Sequence, residues 1–423
     1  MSTKLAENVE ERPEVQEQVG TATEATYNDY LIEKIEQMFN KEEKDAFIVA
    51  SDKKRPVTIR INSLLEKRNS ILQKLSNRGV NIEKIDWNAC GAVIYNTEVP
   101  VGATPEYLAG QYMLQSPSSM LAVMALDPQE NETVVDMCAA PGGKTTHIAA
   151  QMNNTGVVYA SDNSKERIKA LVSNVQRMGV TNTICTVSDA LKLLCKNVDR
   201  VLLDAPCSGT GVISKDPAVK RTKDEAIVRK LQQQQKKLIL KAFDMLSGRK
   251  NEGSYMVYST CSILVEENEC VVDYLLKKRN TAKIVDAELP IGKNGFRSYR
   301  GFNFHPAMSN TRRLYPHVHN TDGFFVAKIK KTGISTEEQR RNKEEQKKID
   351  EKVKEKSKEK SSKEDAETKK KEGRRNKPFR KTREDKETGE DEIKKENNAG
   401  SKRDRSKRDG GKSGSRNKRQ KKE

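Results

Sequence analysis

The stretch "TVVDMCAAPGGKTTHIAA", residues 133–150, joins a short apolar run to a helical pattern through two adjacent glycines. We predict a buried strand at 133–137 and a helix at 144–152. Gly142 and Gly143 let the backbone approach a ligand closely, and the helix that follows offers its N-terminal N–H groups. The spacing is neither the G-x-G-x-x-G dinucleotide signature nor a Walker loop. A glycine pair alone also fits an ordinary tight turn.

Further short apolar runs follow this stretch and alternate with amphipathic helical patterns. The predicted strands are 156–162, 183–189, 200–206, 253–260 and 322–330. The predicted helices lie near 164–178, 222–247 and 266–278. Buried apolar strands separated by helices indicate an α/β fold with a parallel, doubly wound sheet.

Four of these predicted strands end in an aspartate: Asp136, Asp162, Asp189 and Asp204. In an open α/β sheet, ligands bind beyond the carboxyl ends of the strands, so the four carboxylates predict a site for a ligand rich in hydroxyls and amines. Asp162 follows Asp136 by about 26 residues, near the usual position of an acidic residue that binds a ribose diol. The alternative for each aspartate is a helix cap or a turn residue.

The region before this pattern, 26–115, predicts a small α+β unit. A helix starting at Tyr27 places Tyr30, Leu31, Ile35, Met38 and Phe39 on one face. Strands are predicted at 55–62 and 91–96, with a helix at 65–79 between them. The unit carries several cations: Arg55, Arg60, Lys67, Arg68, Lys74 and Arg78. They suit RNA binding, while a basic packing domain is nearly as good an interpretation.

Charge is unevenly distributed along the chain of 423 residues, whose formal net charge is +18. Residues 1–50 hold five basic and twelve acidic side chains, whereas residues 332–423 hold 34 basic and 22 acidic ones. We expect a disordered acidic N-terminus at 1–25, a mostly disordered basic tail at 332–423, and an α/β domain at 116–331. A basic molecule suits a polyanionic partner, nucleic acid before an anionic membrane.

Other classes of protein are disfavoured by the composition. There is no apolar run of about 18 residues, so no membrane span is expected, and the acidic N-terminus is not a secretory signal. The cysteines number seven, an odd count that fits a reducing compartment better than a disulfide framework. Because there is no C-x-x-C pair and only 4 histidines are present, no metal site is expected.

Two cysteines follow strands that border the predicted site: Cys207 in "VLLDAPCSGTG" (201–211) and Cys261 in "YMVYSTCSI" (255–263). Pro206 and a glycine turn hold Cys207 rigidly. Cys261 precedes a predicted helix whose N-terminus would lower a thiol pKa, although three carboxylates oppose that effect: Glu266, Glu267 and Glu269. The residues alone favour Cys261 as the nucleophile without deciding between the two.

Several motifs in this order resemble those of the Nol/Nop/Sun RNA (cytosine-5) methyltransferases. They are "DMCAAPGGKTTHIA", "YASDNSKERI", "VSDA", "LLDAPCSGTGVISKDP" and "YSTCSILVEENE". "NRGVNIEKIDW", "VPVGATPEYLAGQYMLQSPSSMLAVMAL" and "TRRLYPHVHNTDGFFVAKIKK" are similar to its nucleolar Nop branch, which modifies large-subunit ribosomal RNA. The resemblance covers about 27–331 and implies a Rossmann-like methyltransferase domain with an N-terminal α+β RNA-binding domain.

The resemblance implies S-adenosylmethionine as the cofactor. Asp162 would bind the ribose, Asp189 the adenine amino group, and the glycine turn the methionine moiety. Cys261 would be the nucleophile, Cys207 would assist release of the covalent adduct, and Asp204 would bind the cytosine edge. The residues that match the cofactor site are Cys138, Ala139, Ala140, Pro141, Gly142, Gly143, Lys144, Asp162, Asp189 and Asp204.

The resemblance also implies ribosomal RNA and pre-ribosomal large-subunit particles as partners, and a nucleolar location in the nucleus; neither a membrane nor DNA is expected. The first alternative is a ribosome-assembly scaffold whose catalysis is dispensable. The second is a DNA cytosine methyltransferase, which would use Cys207 as its nucleophile and leave Cys261 idle.

Some chemically notable residues outside these motifs have simpler expected roles. Cys90, Cys185, Cys195 and Cys270 are interpreted as small buried or half-buried hydrophobes, and His147 as a packing residue. The segment "TRRLYPHVH", with Arg312, Arg313, His317 and His319, is expected to contact RNA or to close the site. The tail sequences "SKRDRSKRD" and "RNKRQKK" suggest salt-sensitive RNA attraction or nuclear import, with a simple solvated tail as the alternative.

Overall fold

A computed structural model describes residues 26–248 and 253–334, together with positions 340, 343, 344 and 351. The expectations for 1–25 and for nearly all of 332–423 lie outside these residues. The elements below all belong to one compact unit.

The first part of the described chain forms an antiparallel sheet with flanking helices. Its strands lie in the order β2-β3-β1-β4. Two of them, β1 and β3, correspond to the predicted strands. β2, although it alternates apolar and polar residues, was not predicted, and β4 has only three residues. The elements are α1 (Asp29–Met38), α2 (Lys41–Asp52), β1 (Val57–Ile61), α3 (Arg68–Ser76), β2 (Val80–Lys84), β3 (Gly91–Thr97), α4 (Pro105–Leu108) and β4 (Tyr112–Leu114).

Helices α1 and α2 begin with asparagine caps and pack away from this sheet. Asn28 Oδ1 accepts a hydrogen bond from the Leu31 backbone N–H over 2.8 Å. Leu31, Ile35 and Phe39 are buried on the predicted face of α1. They pack with residues from the second half of the chain, among them Ile263 and Tyr315. The two helices therefore cover the back of the loop that carries Cys261.

The second part of the chain alternates strands and helices as predicted. Its elements are α5 (Pro117–Leu126), β5 (Thr133–Asp136), α6 (Gly143–Gln151), β6 (Val157–Asp162), α7 (Lys165–Arg177), β7 (Thr183–Val187), β8 (Arg200–Asp204), α8 (Val219–Thr222), α9 (Glu225–Met245), β9 (Ser254–Thr260), α10 (Glu269–Lys278), β10 (Ala282–Val285), β11 (Lys293–Asn294), β12 (Ser298–Tyr299), β13 (Phe302–Asn303), β14 (Arg312–Leu314), α11 (Pro316–His319) and β15 (Phe324–Lys331).

These strands build a mixed sheet in the order β11-β14-β15-β9-β8-β5-β6-β7, with β10 paired to β15. The core from β7 to β9 is parallel. The prediction that 322–330 adds a parallel strand is wrong, because β15 is antiparallel to β9. Its neighbour β14 precedes it through a short connection, which favours antiparallel pairing. A continuous apolar run does not reveal strand direction, so the sequence pattern could not show this.

The two faces of the sheet bury alternate residues of the central strands. Val134 and Leu202 pack on the side of α5 and α6. Val135, Val201 and Leu203 pack on the side of α9 and α10. Helices on both faces give the three-layer architecture expected of a doubly wound fold.

Two element boundaries differ from the predictions in ways that affect the site. β7 ends at Val187 and is the edge strand, so Asp189 lies beyond it and most β7 side chains are not buried. The helix predicted from residue 266 begins at Glu269, after an irregular segment. The intervening residues, Glu266, Glu267 and Asn268, form a turn in which Glu267 and Asn268 are buried.

Candidate active site

Polar residues collect at the carboxyl edge of the parallel strands. Asp136, Asp162 and Asp204 are the last residues of β5, β6 and β8, and Cys261 directly follows β9. Since these strands are parallel neighbours, their ends face the same side of the sheet. The structure therefore brings together the strand-end residues that the sequence predicted, with Asp189 further out, after the edge strand.

The two cysteines are direct neighbours. Cys207 Sγ lies 3.1 Å from Cys261 Sγ, and both residues are half-buried. Their loops are joined through Gly211, whose N–H donates to the Cys261 carbonyl over 2.9 Å. A Cβ at position 211 would lie 2.1 Å from the carbonyl oxygen of Gly323, so only glycine fits this close approach.

A buried carboxylate, Glu267, supports both cysteine loops from behind. It accepts hydrogen bonds from the Ser208 N–H at 2.9 Å and the Ser208 hydroxyl at 2.5 Å. It also accepts one from Gln235 Nε2 at 2.9 Å. Burial raises the pKa of Glu267, although these donors act in the opposite direction. Sequence reasoning treated Glu267 only as one of several acidic residues near Cys261, because nothing in the pattern marks one glutamate of "VEENE" as buried.

The environment keeps Cys207 protonated. Its hydrogen bond with Cys261 and its burial raise the pKa of the Cys207 thiol well above the usual range. The helix-based argument for Cys261 is wrong, because α10 begins eight positions later, at Glu269. Of the opposing carboxylates, Glu266 is paired with Lys34 at 2.6 Å and is not free to act on the thiol.

Lys144 and Asp204 form an ion pair beside the cysteines. Lys144 Nζ lies 2.7 Å from Asp204 Oδ2, and the Ser259 hydroxyl donates to Asp204 Oδ1 over 2.7 Å. Burial alone would lower the pKa of Lys144, but attraction to Asp204 outweighs it and leaves that pKa raised. The cation thus remains charged and holds the Asp204 carboxylate in a fixed orientation.

The glycine turn between β5 and α6 has the conformation that its sequence suggested. Gly142 is the N-cap of α6 with φ +105°, a backbone region that favours glycine. Below it, Asp136 Oδ2 accepts a hydrogen bond from the Thr145 hydroxyl over 2.7 Å. Asp136 Oδ1 is buried and has no hydrogen-bond partner among the described residues. Cys138 is half-buried, Ala139 and Ala140 are buried, and the Ala140–Pro141 peptide bond is cis.

Asp162 and Asp189 both have local backbone contacts. Asp162 is buried and accepts from the backbone N–H groups of Ala140 at 3.2 Å and Ser164 at 3.1 Å. Asp189 is exposed and accepts from the Leu191 N–H over 3.0 Å, which caps a short 3₁₀ helix. Asp189 is therefore a helix cap and Asp162 a turn residue, since Ser164 is the N-cap of α7. The contacts of both aspartates with the ribose and the adenine stay predictions.

One of the two arginines in the segment "TRRLYPHVH" lies inside the protein. Arg313 is buried, with its guanidinium bonded to both oxygens of Glu269 at 2.7 and 2.9 Å. His317 packs edge-on against Phe39 and Phe47. The expected contact of Arg313 with RNA is therefore wrong, because two basic residues in a row do not show which one points inward. The alternative, that the segment closes the site, stays a prediction.

The expected basic surface of the first sheet is also partly internal. Arg60 is buried in β1 and donates to the Thr146 hydroxyl over 2.8 Å. Arg78 forms a bidentate pair with Glu106. The prediction of a basic surface that includes all six cations is therefore wrong, because β1 turns Arg60 towards α6.

The remaining cysteines and His147 lie within packed regions. Cys195 and Cys270 pack against one core cluster and Cys185 against another. Cys90 Sγ lies 3.8 Å from His147 Nε2. Burial, together with the nearby Arg60 charge, lowers the pKa of His147 well below its usual value. These residues fit the predicted packing role.

Searches for two other kinds of site gave nothing within the part of the chain that the structure describes. No group of three His, Cys, Asp or Glu side chains is arranged to hold a metal ion. None of the described helices is long and apolar enough to span a bilayer.

Comparison with known proteins identifies the family. A model described as 16S rRNA methyltransferase RsmB/F matches residues 123–330, and one for the N-terminal domain of 16S rRNA methyltransferase RsmF matches 28–117. A solved methyltransferase homologue from Pyrococcus horikoshii is 33% identical, with a TM-score of 0.65, and the match covers 72% of this chain and 95% of that one. The chain belongs to the RsmB/F methyltransferase family. The resemblance to RNA (cytosine-5) methyltransferases is thereby confirmed, as is the Rossmann-like fold class.

Within the RsmB/F family, curated relatives from eukaryotes are similar over most of the described chain. A 28S rRNA (cytosine-C(5))-methyltransferase of Mus musculus is 52% identical over 73% of this chain and 39% of its own length. The 25S rRNA (cytosine-C(5))-methyltransferase nop2 of Schizosaccharomyces pombe is 50% identical over 72% of this chain and 51% of its own length. The chain thus spans about half the length of these curated relatives or less.

Proposed function

We propose that this protein transfers a methyl group from S-adenosylmethionine to C5 of a cytosine in large-subunit ribosomal RNA. The names of its curated relatives support the reaction and the RNA class. The observation that carries the proposal is the pair of thiols, Cys207 and Cys261, 3.1 Å apart beside the Asp204 carboxylate. We further propose that it acts on pre-ribosomal large-subunit particles in the nucleolus and has a role in their assembly.

The reaction needs a thiolate because cytosine C5 is a poor nucleophile. In the proposed mechanism the Cys261 sulfur bonds to C6 of a flipped or unpaired base. This displaces the electron pair of the C5–C6 double bond, which makes C5 nucleophilic. Asp204, held by Lys144 and Ser259, binds the cytosine edge and steadies the ring. After C5 is methylated, a base removes the C5 proton and the C6–sulfur bond breaks.

Cys207 has the properties that this last step requires. Its raised pKa keeps the thiol protonated, so it can donate a hydrogen bond to the departing Cys261 sulfur. The distance of 3.1 Å between the two sulfurs lies within the range for a thiol contact. We therefore assign attack to Cys261 and adduct release to Cys207.

The residues around the glycine turn fit S-adenosylmethionine, which supplies the methyl group when bound. Asp136 Oδ1 is a buried acceptor without a partner in the described chain, at the base of the turn. Asp162 and Asp189 offer carboxylates for ribose hydroxyls and for the adenine amino group. The proposed contact residues are Cys138, Ala139, Ala140, Pro141, Gly142, Gly143, Lys144, Asp162, Asp189 and Asp204.

Covalent trapping tests the assignment of the nucleophile. RNA that contains 5-azacytidine is incubated with the protein and S-adenosylmethionine, and the adduct is detected on denaturing gels. We expect the wild type and a Cys195→Ala control to form it and Cys261→Ala to form none. An adduct that survives Cys261→Ala but disappears in Cys207→Ala would contradict the proposal and favour the chemistry of the DNA enzymes.

The same gels with ordinary RNA test the release role. Cys207→Ala is expected to accumulate an adduct that the wild type does not, because no thiol then assists departure of the Cys261 sulfur. The double variant that lacks both thiols serves as the control and is expected to show no adduct. Free turnover by Cys207→Ala at the wild-type rate would remove Cys207 from the mechanism.

A further inference from the structure

A groove of about 520 Å³ runs beside the candidate site, where the first sheet meets loops of the second half. One wall is formed by Val57, Tyr95 and Leu114 from β1, β3 and β4. The opposite wall contains Lys215 and Asp322. Nothing in the sequence patterns linked these two walls.

The groove shares its second wall with the cysteine loops. Lys215 follows the glycine turn that contains Gly211, and Asp322 precedes Gly323. The Gly323 N–H donates to the Gly211 carbonyl over 2.8 Å, and Gly211 in turn is bonded to the Cys261 carbonyl. A polymer in the groove would therefore lie next to the residue on which the reaction depends.

The first wall offers exposed aromatic and apolar surface. Tyr95 is 55% exposed, and among the described residues it has neither a ring contact nor a hydrogen-bond partner. Val57 and Leu114, which line the same groove, are also exposed. Exposed aromatic side chains in a basic groove are the platforms on which single-stranded nucleic acids stack their bases.

The charges that line the groove favour a polyanion. Lys54 is exposed and makes no ion pair with any described residue. Arg55 and Lys215 both contact Asp322, at 3.3 and 2.5 Å. Since one carboxylate faces three cations, the lining has a net positive charge, which attracts phosphates.

Two residues of the groove lining, Gln115 and Thr321, carry buried polar atoms. The Gln115 amide lies against Gly143 of the glycine turn. Because these atoms are covered by protein, the groups that a ligand in the groove reaches are the exposed side chains, Tyr95 and Lys54.

We propose that this groove binds a single-stranded RNA segment adjoining the target cytosine, with Tyr95 stacking on a base and Lys54 contacting phosphate. The choice of RNA rests on the proposed function, whereas the groove and its chemistry do not. Duplex RNA does not fit this arrangement, because its bases are stacked on one another and cannot reach Tyr95.

Binding and crosslinking with a short RNA test the groove. The full chain is mixed with a 12-nucleotide single-stranded RNA that carries 4-thiouridine beside a cytosine, and photo-crosslinked peptides are mapped by mass spectrometry. We expect crosslinks to the peptide that contains Tyr95. Tyr95→Ala should weaken binding about 5- to 100-fold, and Lys54→Ala should lower the salt slope by about 0.7.

Two matched variants control for the loss of any exposed ring or charge. Phe302, 56% exposed, lies outside the groove, so Phe302→Ala is expected to bind like the wild type. Lys53 is the exposed neighbour of Lys54 and does not line the groove, so Lys53→Ala should keep most of the affinity. S-adenosylmethionine binding by every variant checks that the fold is intact.

The outcomes separate the groove from the proposed function. If the wild type forms the 5-azacytidine adduct but Tyr95→Ala and Lys54→Ala bind RNA like their controls, the groove proposal is overturned and the function stands. If binding depends on Tyr95 and Lys54 but no adduct forms, the groove stands and the function fails. Equal affinity for a 12-base-pair RNA duplex through the same two residues would also overturn the proposal.

Discussion

At the end of β5, Asp136 is a carboxyl group with one satisfied oxygen and one buried oxygen without a partner in the described chain. Burial raises its pKa from 3.8 to about 7, against the influence of the Thr145 hydroxyl and the Lys144 charge. The folded state thus prefers the protonated form. Such a group supports folding fully at acid pH, and its contribution falls as pH rises through its folded pKa.

Asp136→Asn should remove this dependence on pH. Between pH 4 and 8 the free energy of unfolding of the wild type should fall relative to the variant by about 4 kcal/mol, since each pKa unit corresponds to about 1.4 kcal/mol. Urea unfolding across this range measures the difference. Glu83→Gln, on an exposed side chain, is the control for the loss of one carboxylate. A flat difference for Asp136→Asn would contradict the argument.

For single residues, the motifs predicted which side chains lie at the site, but they did not predict which side chains are buried. The motifs placed Cys207, Cys261 and Asp204 at the ends of neighbouring strands, and the structure brings them together. They could not reveal that Glu267 holds the cysteine loops, because burial of one glutamate among several depends on long-range packing. The roles of these residues in the reaction remain predictions.

The link between α10 and β14 shows how elements are fixed by a buried ion pair. Arg313 in β14 is 1% exposed and binds both oxygens of Glu269, the first residue of α10. Its guanidinium also donates to the Ile263 carbonyl over 2.9 Å, close to Cys261. The pair therefore joins a sheet strand, a helix start and the cysteine loop.

Removing one member of this ion pair should lower the free energy of unfolding. Arg313→Met leaves a buried carboxylate without its partner and is expected to lower the free energy of unfolding by about 3 to 5 kcal/mol. The neighbouring Arg312 pairs with the exposed Asp286, so Arg312→Met should cost less than about 1 kcal/mol. Chemical denaturation compares the two variants. Equal losses would show that the position of Arg313 in the core has no special effect.

The order of the strands and helices was predictable from the sequence, whereas the direction of β15 and the start of α10 were not. Alternating apolar runs and helical patterns located the strands β5 to β9 and the helices between them. The pattern could not show that β15 is antiparallel or that α10 begins at Glu269, because a fully buried segment looks the same in either direction and in several backbone conformations. Short strands such as β4 escaped notice for lack of length.

For the whole molecule, charge suggests how the folded part and the tail share RNA binding. Residues 51–331 hold 40 Lys/Arg and 27 Asp/Glu, so they remain basic when 332–423 are removed. Each phosphate contact that is lost reduces the salt dependence of binding. The folded part should therefore retain RNA affinity of its own.

Deletion of 335–423 is expected to weaken binding of the 12-nucleotide RNA at low salt and to make the salt dependence shallower. Formation of the 5-azacytidine adduct should persist, because all proposed catalytic residues remain. A full-length chain whose tail Lys and Arg are replaced by Ser controls for length and should behave like the deletion. An unchanged salt slope in both variants would assign the tail no part in RNA binding.

The antiparallel direction of β15 determines where the chain leaves the folded part. Phe325 pairs with Thr260 near the cysteines, whereas Lys331 pairs with Ser254 at the other end of β9. An eight-residue strand is about 26 Å long. Whatever follows Lys331 thus starts on the far rim of the sheet, and about eight extended residues are needed merely to return to the cleft. A fluorophore or surface anchor attached at Thr332 would therefore lie at the end of β15 that is remote from the two cysteines.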